Sequence, residues 1–211
     1  KHSGFQLNLK KFRGMLYGVL YGDLLMTLMN QTRPYELEKG TAQKLADEWT
    51  EKLGTELGTG RISYKDVRAN YQAIIDSFAA IPVEKRPAVK VGVVGEIFVK
   101  YSPLGNNNLE QFLTDEGAEV VVPGLIDFVL YCIYNFVLDY KLYGRGYWMA
   151  VAAKAAYKYL NGKKQDMIDR IEVERKFSRA KRVFCFDDIP EKTEETIGSV
   201  IGLSVLLDNL I

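Results

Sequence analysis

Apolar and polar positions change period several times along this chain, and each change marks an element. From Met15 to Met29 the residues are almost all apolar, with Asp23 as the one charge, and Phe12, Leu16, Val19, Leu20 and Leu24 recur at helical spacing. This pattern predicts a buried helix that ends before Pro34. Gly14, Gly18 and Gly22 recur every four residues on one face, where the missing side chains would let another backbone come close. Thr41 caps a second helix running to about Leu57, with Leu45, Trp49 and Leu53 spaced by four among charges. Ser63, with Asp66 three residues on, starts a third, whose apolar face is Val67, Tyr71, Ile74, Ile75 and Phe78 and which ends near Ile81.

The period then shifts. Val89–Val94 is a β-branched run ending at Gly95, which reads as a strand buried on both faces. After a long loop, Asn107 serves as N-cap and Glu110 closes a capping box for a helix over Asn108–Glu116, stopped by Gly117. Glu119–Val122 is the next strand, stopped by Pro123 and Gly124. Strand, helix and strand make a parallel βαβ unit over 88–123, with Val91, Val93, Val120 and Val122 buried and both strand C-termini at one edge. Open α/β sheets bind ligands at that edge. The first loop brings Glu96, Lys100, Tyr101 and the Asn106, Asn107, Asn108 run there, and the second brings Asp127. Glu96 and Asp127 could tune one another's pKa as acid and base, against the plainer reading that lysines such as Lys100 pair with them.

Leu125–Tyr143 is apolar nearly all round, with Asp127, Asn135 and Asp139 on one polar ridge, and reads as a core-packed helix with that one face at a cavity or the surface, not as a membrane span. Cys132 within it reads as a small buried hydrophobe. Gly144, Arg145 and Gly146 break it before an alanine-rich helix, Tyr147–Leu160, which Asn161 and Gly162 break again. Lys164–Arg182 alternates acids and bases as a solvated helix does. Val183–Phe186 is a candidate third strand, and Thr193–Ile211 returns to an amphipathic helix through Ile197, Val200, Ile201, Val205 and Leu210. The last residues lack a polar tail, as at an internal cut of a longer chain. The fold class expected is therefore helix-rich α/β, with a small parallel Rossmann-like sheet covered by helices. A helical part (1–82) precedes an α/β part (88–211), and the charged segment Val83–Pro87 lies between them.

With 211 residues, 47% of them hydrophobic and 26% charged, the chain is an ordinary globular one. Its 28 bases against 27 acids leave a net +1, a balance that favours neither nucleic acid nor an anionic membrane. The apolar run at Met15–Met29 is too short and too interrupted for a span or a signal peptide. Two distant cysteines, Cys132 and Cys185, argue for a reducing, cytoplasmic setting and against zinc of the usual spacing. The one histidine, His2, excludes mechanisms that need an internal imidazole. Gly92 and Gly95 do not make a dinucleotide fingerprint, and no P-loop or nucleophile elbow occurs. Arg33, beside Pro34 and Glu36, could hold an anion or pair with that glutamate.

KVGVVGEIFVKYSPLGNNNLEQFL (Lys90–Leu113) followed by EGAEVVVPGLIDFVLYCIYN (Glu116–Asn135) resembles a segment of the large acyl-CoA dehydratase activase-related proteins. TRPYELEKGTA (Thr32–Ala42) resembles the family's preceding segment, and the likeness runs from about Phe12 to Gly144. The family joins ATPase activase domains to a region similar to 2-hydroxyacyl-CoA dehydratase subunits. The resemblance implies anaerobic acyl-CoA metabolism, with ATP and iron–sulfur clusters. A cubane cluster needs four thiolates, and this chain has two in no cluster spacing, so ATP and iron are expected in other parts of the full-length protein. The family's CxQPxGC-like and Gly-Glu-Gly-Trp segments have no counterpart here.

Two functions follow as expectations. In one, the chain is a non-catalytic accessory domain, a docking or substrate-side lobe for ATP-driven electron transfer to a dehydratase, its partners being the other domains or a dehydratase subunit. In the other it binds an acyl-CoA or another phosphate-bearing molecule through Glu96, Lys100, Tyr101, Asn106, Asn107, Asn108, Asp127 and Arg33. A third reading, a homo-oligomeric architectural domain, has no motif of its own.

Overall fold

A computed structural model describes residues 9–84 and 86–184, with side chains over 10–174. The chain divides into two compact units, Lys1–Met167 and Ile168–Ile211. In the second, the described residues 168–184 are helical. In order, the elements are α1 (Leu9–Thr32), α2 (Thr41–Gly58), α3 (Tyr64–Ala79), β1 (Lys90–Gly92), α4 (Ile97–Tyr101), α5 (Pro103–Asn106), α6 (Leu109–Asp115), β2 (Glu119–Val121), α7 (Leu125–Tyr143) and α8 (Tyr147–Phe184). Among the described residues the protein is thus helix-rich, with one small parallel sheet.

α1 is the central element, packing against α2, α3, β2 and α7. Tyr17, Leu20, Tyr21, Leu24 and Leu28 are buried along it, whereas Phe12 is exposed. Of the recurring glycines, only Gly18 has a neighbour near its missing Cβ position, and that is the Leu57 side chain at 3.7 Å. The expected backbone approach is therefore not made. α3 follows its pattern closely. Ser63 and Asp66 form the capping box, and Val67, Tyr71, Ile74, Ile75 and Phe78 are all buried. Its Tyr71 stacks edge-on against Tyr21 of α1 at 5.6 Å. α2 begins at Thr41, but its cap comes from elsewhere. Glu36 accepts the N–H groups of Gly40 (2.7 Å) and Ala42 (2.8 Å), a carboxylate at the positive end of the helix.

β1 and β2 pair in parallel with Val91 opposite Val120, and the Val93 N–H extends the ladder to Val121 O at 2.9 Å. One face is covered: Val93, Val120 and Val122 form a small core with Met26, Tyr101 and Leu113. The other face is not, since Val89, Val94 and Val121 are exposed and Val91 is half-buried. Burial on both faces is thus corrected, because among the described residues the sheet has only two strands and the α1 side supplies its cover. Lys90 pairs with buried Glu119 at 3.0 Å, and Tyr35 donates to the same carboxylate at 2.8 Å. Arg86, in the charged segment after α3, donates to Pro34 O and lies in the first unit.

Two expectations in the C-terminal half change. α8 runs unbroken through Asn161 and Gly162, and Val183 and Phe184 belong to this helix instead of a third strand; residues 185–186 and the helix expected at Thr193–Ile211 lie outside the described residues. α7 buries only Ile126, Leu130 and Val137, and Cys132 is exposed. More of α7 faces water than the one expected polar face, because among the described residues α1 and α8 cover only part of its surface.

Candidate functional site

Because β1 and β2 are parallel, the chain leaves both at the same edge, and α1 passes beneath it. Asp23, Met26 and Asn30 are spaced by three and four, so they share one stripe of α1. Met26 packs on the valine core, and the two polar residues flank it in the sequence. Asp23 is 4% exposed, and its carboxylate accepts the N–H groups of Leu125 (2.7 Å) and Ile126 (2.9 Å), the first turn of α7. A residue about a hundred positions away thus caps this helix.

The approach is close enough to dictate a residue. A Cβ on Gly124 would lie 2.5 Å from Asp23 Oδ2 and 2.8 Å from Cγ, so only glycine fits there. Burial is the main influence on Asp23 and raises its pKa. The two backbone bonds oppose it, neighbouring Asp127 adds to it, and Lys164 subtracts. Asp127 itself binds the Lys164 ammonium of α8.

The residues of the first loop are arranged by their own caps. Glu96 accepts from Phe98 N (2.8 Å) and Val99 N (3.3 Å) and so starts α4. Lys100 is buried, its ammonium 4.5 Å from the Tyr101 ring centroid. Tyr101 spans the edge, its hydroxyl donating to Pro123 O at 2.5 Å. Burial first, then Asp23, Asp127 and Glu110, push its phenol up to about 12. Tyr101 and Asp127 are thus brought together, with Asp23 and Glu110 beside them. Glu96 and Asp127 each have a separate partner.

The three asparagines turn the chain. Asn107 (φ 60°) and Asn108 (φ 57°) are both left-handed, a region asparagine tolerates best after glycine, and Asn106 Oδ1 accepts the Leu109 N–H at 3.2 Å. The expected capping box of Asn107 with Glu110 is therefore not formed. α6 starts one residue later, at Leu109, because Asn108 is left-handed. Glu110 instead accepts from Asn30 Nδ2 at 3.1 Å. Asn30 is 3% exposed, and its Oδ1 has no hydrogen-bond partner among the described residues. Arg33 donates to Gln111 of α6, so it and Glu36 serve different helices.

Sequence reasoning missed Asp23, Asn30 and Lys164. Asp23 left a trace, as a charge inside an apolar run, and Asn30 follows it by seven residues on the same face. Among the described residues no cluster of histidine, cysteine or carboxylate could hold a metal ion. At the sheet edge the Asp23 carboxylate fills the helix N-terminus at which an anionic ligand of such a sheet would sit. Comparison with protein-family models, curated proteins and solved structures found no match of any of the three kinds.

Proposed function

We propose that this chain is a Rossmann-like, cytoplasmic, non-catalytic domain of a large activase-related protein of the 2-hydroxyacyl-CoA dehydratase kind, serving as a docking lobe for its other domains or for a dehydratase subunit. The family part rests on the sequence resemblance, and the docking part on one structural observation. Between Val93 and Leu109 the only charged residues are Glu96, which caps α4, and Lys100, which is buried. The crossover at the strand ends therefore shows water a face poor in charge, with Val94 78% and Leu104 89% exposed. Such surfaces mark interaction sites in soluble proteins. ATP and iron–sulfur chemistry belong, in this reading, to other parts of the full-length protein.

An acyl-CoA or other phosphate-bearing ligand at the same edge has less support. Asp23 occupies the N-terminus of α7, and Glu96 that of α4, so both helix ends that would receive a phosphate carry a carboxylate. The test has two arms. The purified chain is assayed for ATP hydrolysis and for bound iron, and either activity or stoichiometric iron would defeat a non-catalytic role. Leu104→Asp and Phe112→Asp, at exposed positions, are then titrated against the ATPase portion of an activase-related protein, where a loss of about tenfold in affinity is expected. Unchanged affinity would remove the docking face.

A further inference from the structure

The whole-chain charge balance hides a segregation. From Tyr140 to Gln165 there are six bases and no acid. Three of the bases have partners within the molecule: Lys164 binds Asp127, Lys163 lies over the Tyr64 ring at 3.1 Å, and Lys141 lies more loosely over the Tyr134 ring at 5.9 Å. Lys141, Arg145, Lys154 and Lys158 are all exposed. They sit on a hairpin of α7 and the start of α8. Three contacts define it as antiparallel: Asp127 with Lys164, Tyr134 with Tyr157 (centroids 5.4 Å) and Tyr140 with Tyr147 (5.4 Å). At 1.5 Å per residue, the turn at Gly144–Gly146 lies roughly 24 Å along α7 from Asp127, well away from the sheet edge.

That turn carries the most exposed large apolar side chains of the hairpin. Trp148 is 80% exposed, Leu142 and Tyr143 are each 70% exposed, and Met149 is also exposed. Tyr147 stacks on both Tyr140 and Trp148, at 5.4 and 5.2 Å, so the aromatic group is already assembled. Few residues take part, far short of the roughly 20 to 30 per side of a stable protein interface. Tyrosine and tryptophan beside lysine and arginine suit a bilayer interface, where rings sit at headgroup depth and ammonium groups meet lipid phosphate. No helix among the described residues is long and apolar enough to cross a membrane, so the contact is peripheral.

We propose that the tip of the α7–α8 hairpin docks on an anionic lipid surface, with Leu142, Tyr143, Trp148 and Met149 entering the interface and Lys141 and Arg145 on headgroup phosphates. The +1 net charge is no obstacle, because an exposed segment within a Debye length of the surface responds to its own charge. Trp148 is also the reporter. The chain has two tryptophans, and Trp49 is held within the helical part by Ser77 at 2.9 Å.

The full chain carrying Trp49→Phe is titrated with phosphatidylserine-containing and with pure phosphatidylcholine vesicles. Trp148 emission should shift to the blue, and bilayer bromolipid should quench it, with the anionic vesicles only. If Trp49→Phe folds poorly, the wild-type chain less the signal of Trp148→Phe gives the same reading. Lys141→Gln with Arg145→Gln should weaken partitioning by roughly 25-fold, about fivefold per base. An unchanged Trp148 spectrum with anionic vesicles would overturn the proposal, as would equal binding to both lipids. Polyglutamate shifting the emission where vesicles do not would assign the tip to an acidic protein and likewise overturn it.

Discussion

Asp23 and Gly124 should behave as one unit, and a double-mutant cycle can show it. Asp23→Ala removes the acceptor that, among the described residues, serves the Leu125 and Ile126 N–H groups, one part-buried and one buried. Losing a cap costs about 1 kcal/mol, and stranding a buried donor adds about 1 to 3, so about 3 kcal/mol is expected. Gly124→Ala should cost nearly as much for the opposite reason: its Cβ would drive the short, buried Asp23 carboxylate from both bonds. With Asp23 already alanine, nothing opposes that Cβ. The backbone at Gly124 (φ −63°, ψ 155°) suits alanine, so the second substitution should then be neutral or stabilise by about 0.5 kcal/mol. Urea unfolding of the four proteins should therefore give a coupling of about 3 kcal/mol. Additive costs within about 0.5 kcal/mol would refute the close approach and with it the cap.

Four further outcomes follow. Burial raises the Asp23 pKa above its ordinary 3.8, so the folded state binds the proton more tightly. That contribution is present below 3.8 and lost as pH rises through the folded value; Asp23→Asn, with no proton to lose, should flatten this part of the stability profile. Tyr71 buries a hydroxyl that has no hydrogen-bond partner among the described residues, so Tyr71→Phe should stabilise by about 1 kcal/mol in thermal unfolding, and a loss of stability would mean that the hydroxyl is satisfied. Ser63→Ala opens the α3 capping box and should cost about 1 kcal/mol by urea titration. Cys132, exposed on α7, should react with a thiol reagent in the native state of a Cys185→Ser variant at nearly the rate of a free thiol; protection until unfolding would return it to the core.

Where neighbours in the chain settle the conformation, the sequence was enough. Ser63 and Asp66 cap each other across three residues, Pro34 lies just past the end of α1, and Gly117 closes α6 with a left-handed backbone. The β-branched runs at Val91 and Val120, separated by one helical crossover, determined a parallel pair. The helical face from Val67 to Phe78 was legible because its period is set by the helix itself.

Tertiary structure decided everything that depends on partners far along the chain. Nothing local says that Asp23 caps a helix a hundred residues on, or that Glu110 leaves its own helix start to hold Asn30. The break expected at Asn161–Gly162 fails for the same reason. A mid-helix glycine costs only about 1 kcal/mol, and here Tyr157 on Tyr134 and Lys164 on Asp127 hold the helix on either side of it. How much of α7 faces water was equally hidden, because an apolar pattern records what a helix could bury and only the surrounding elements determine what it does bury.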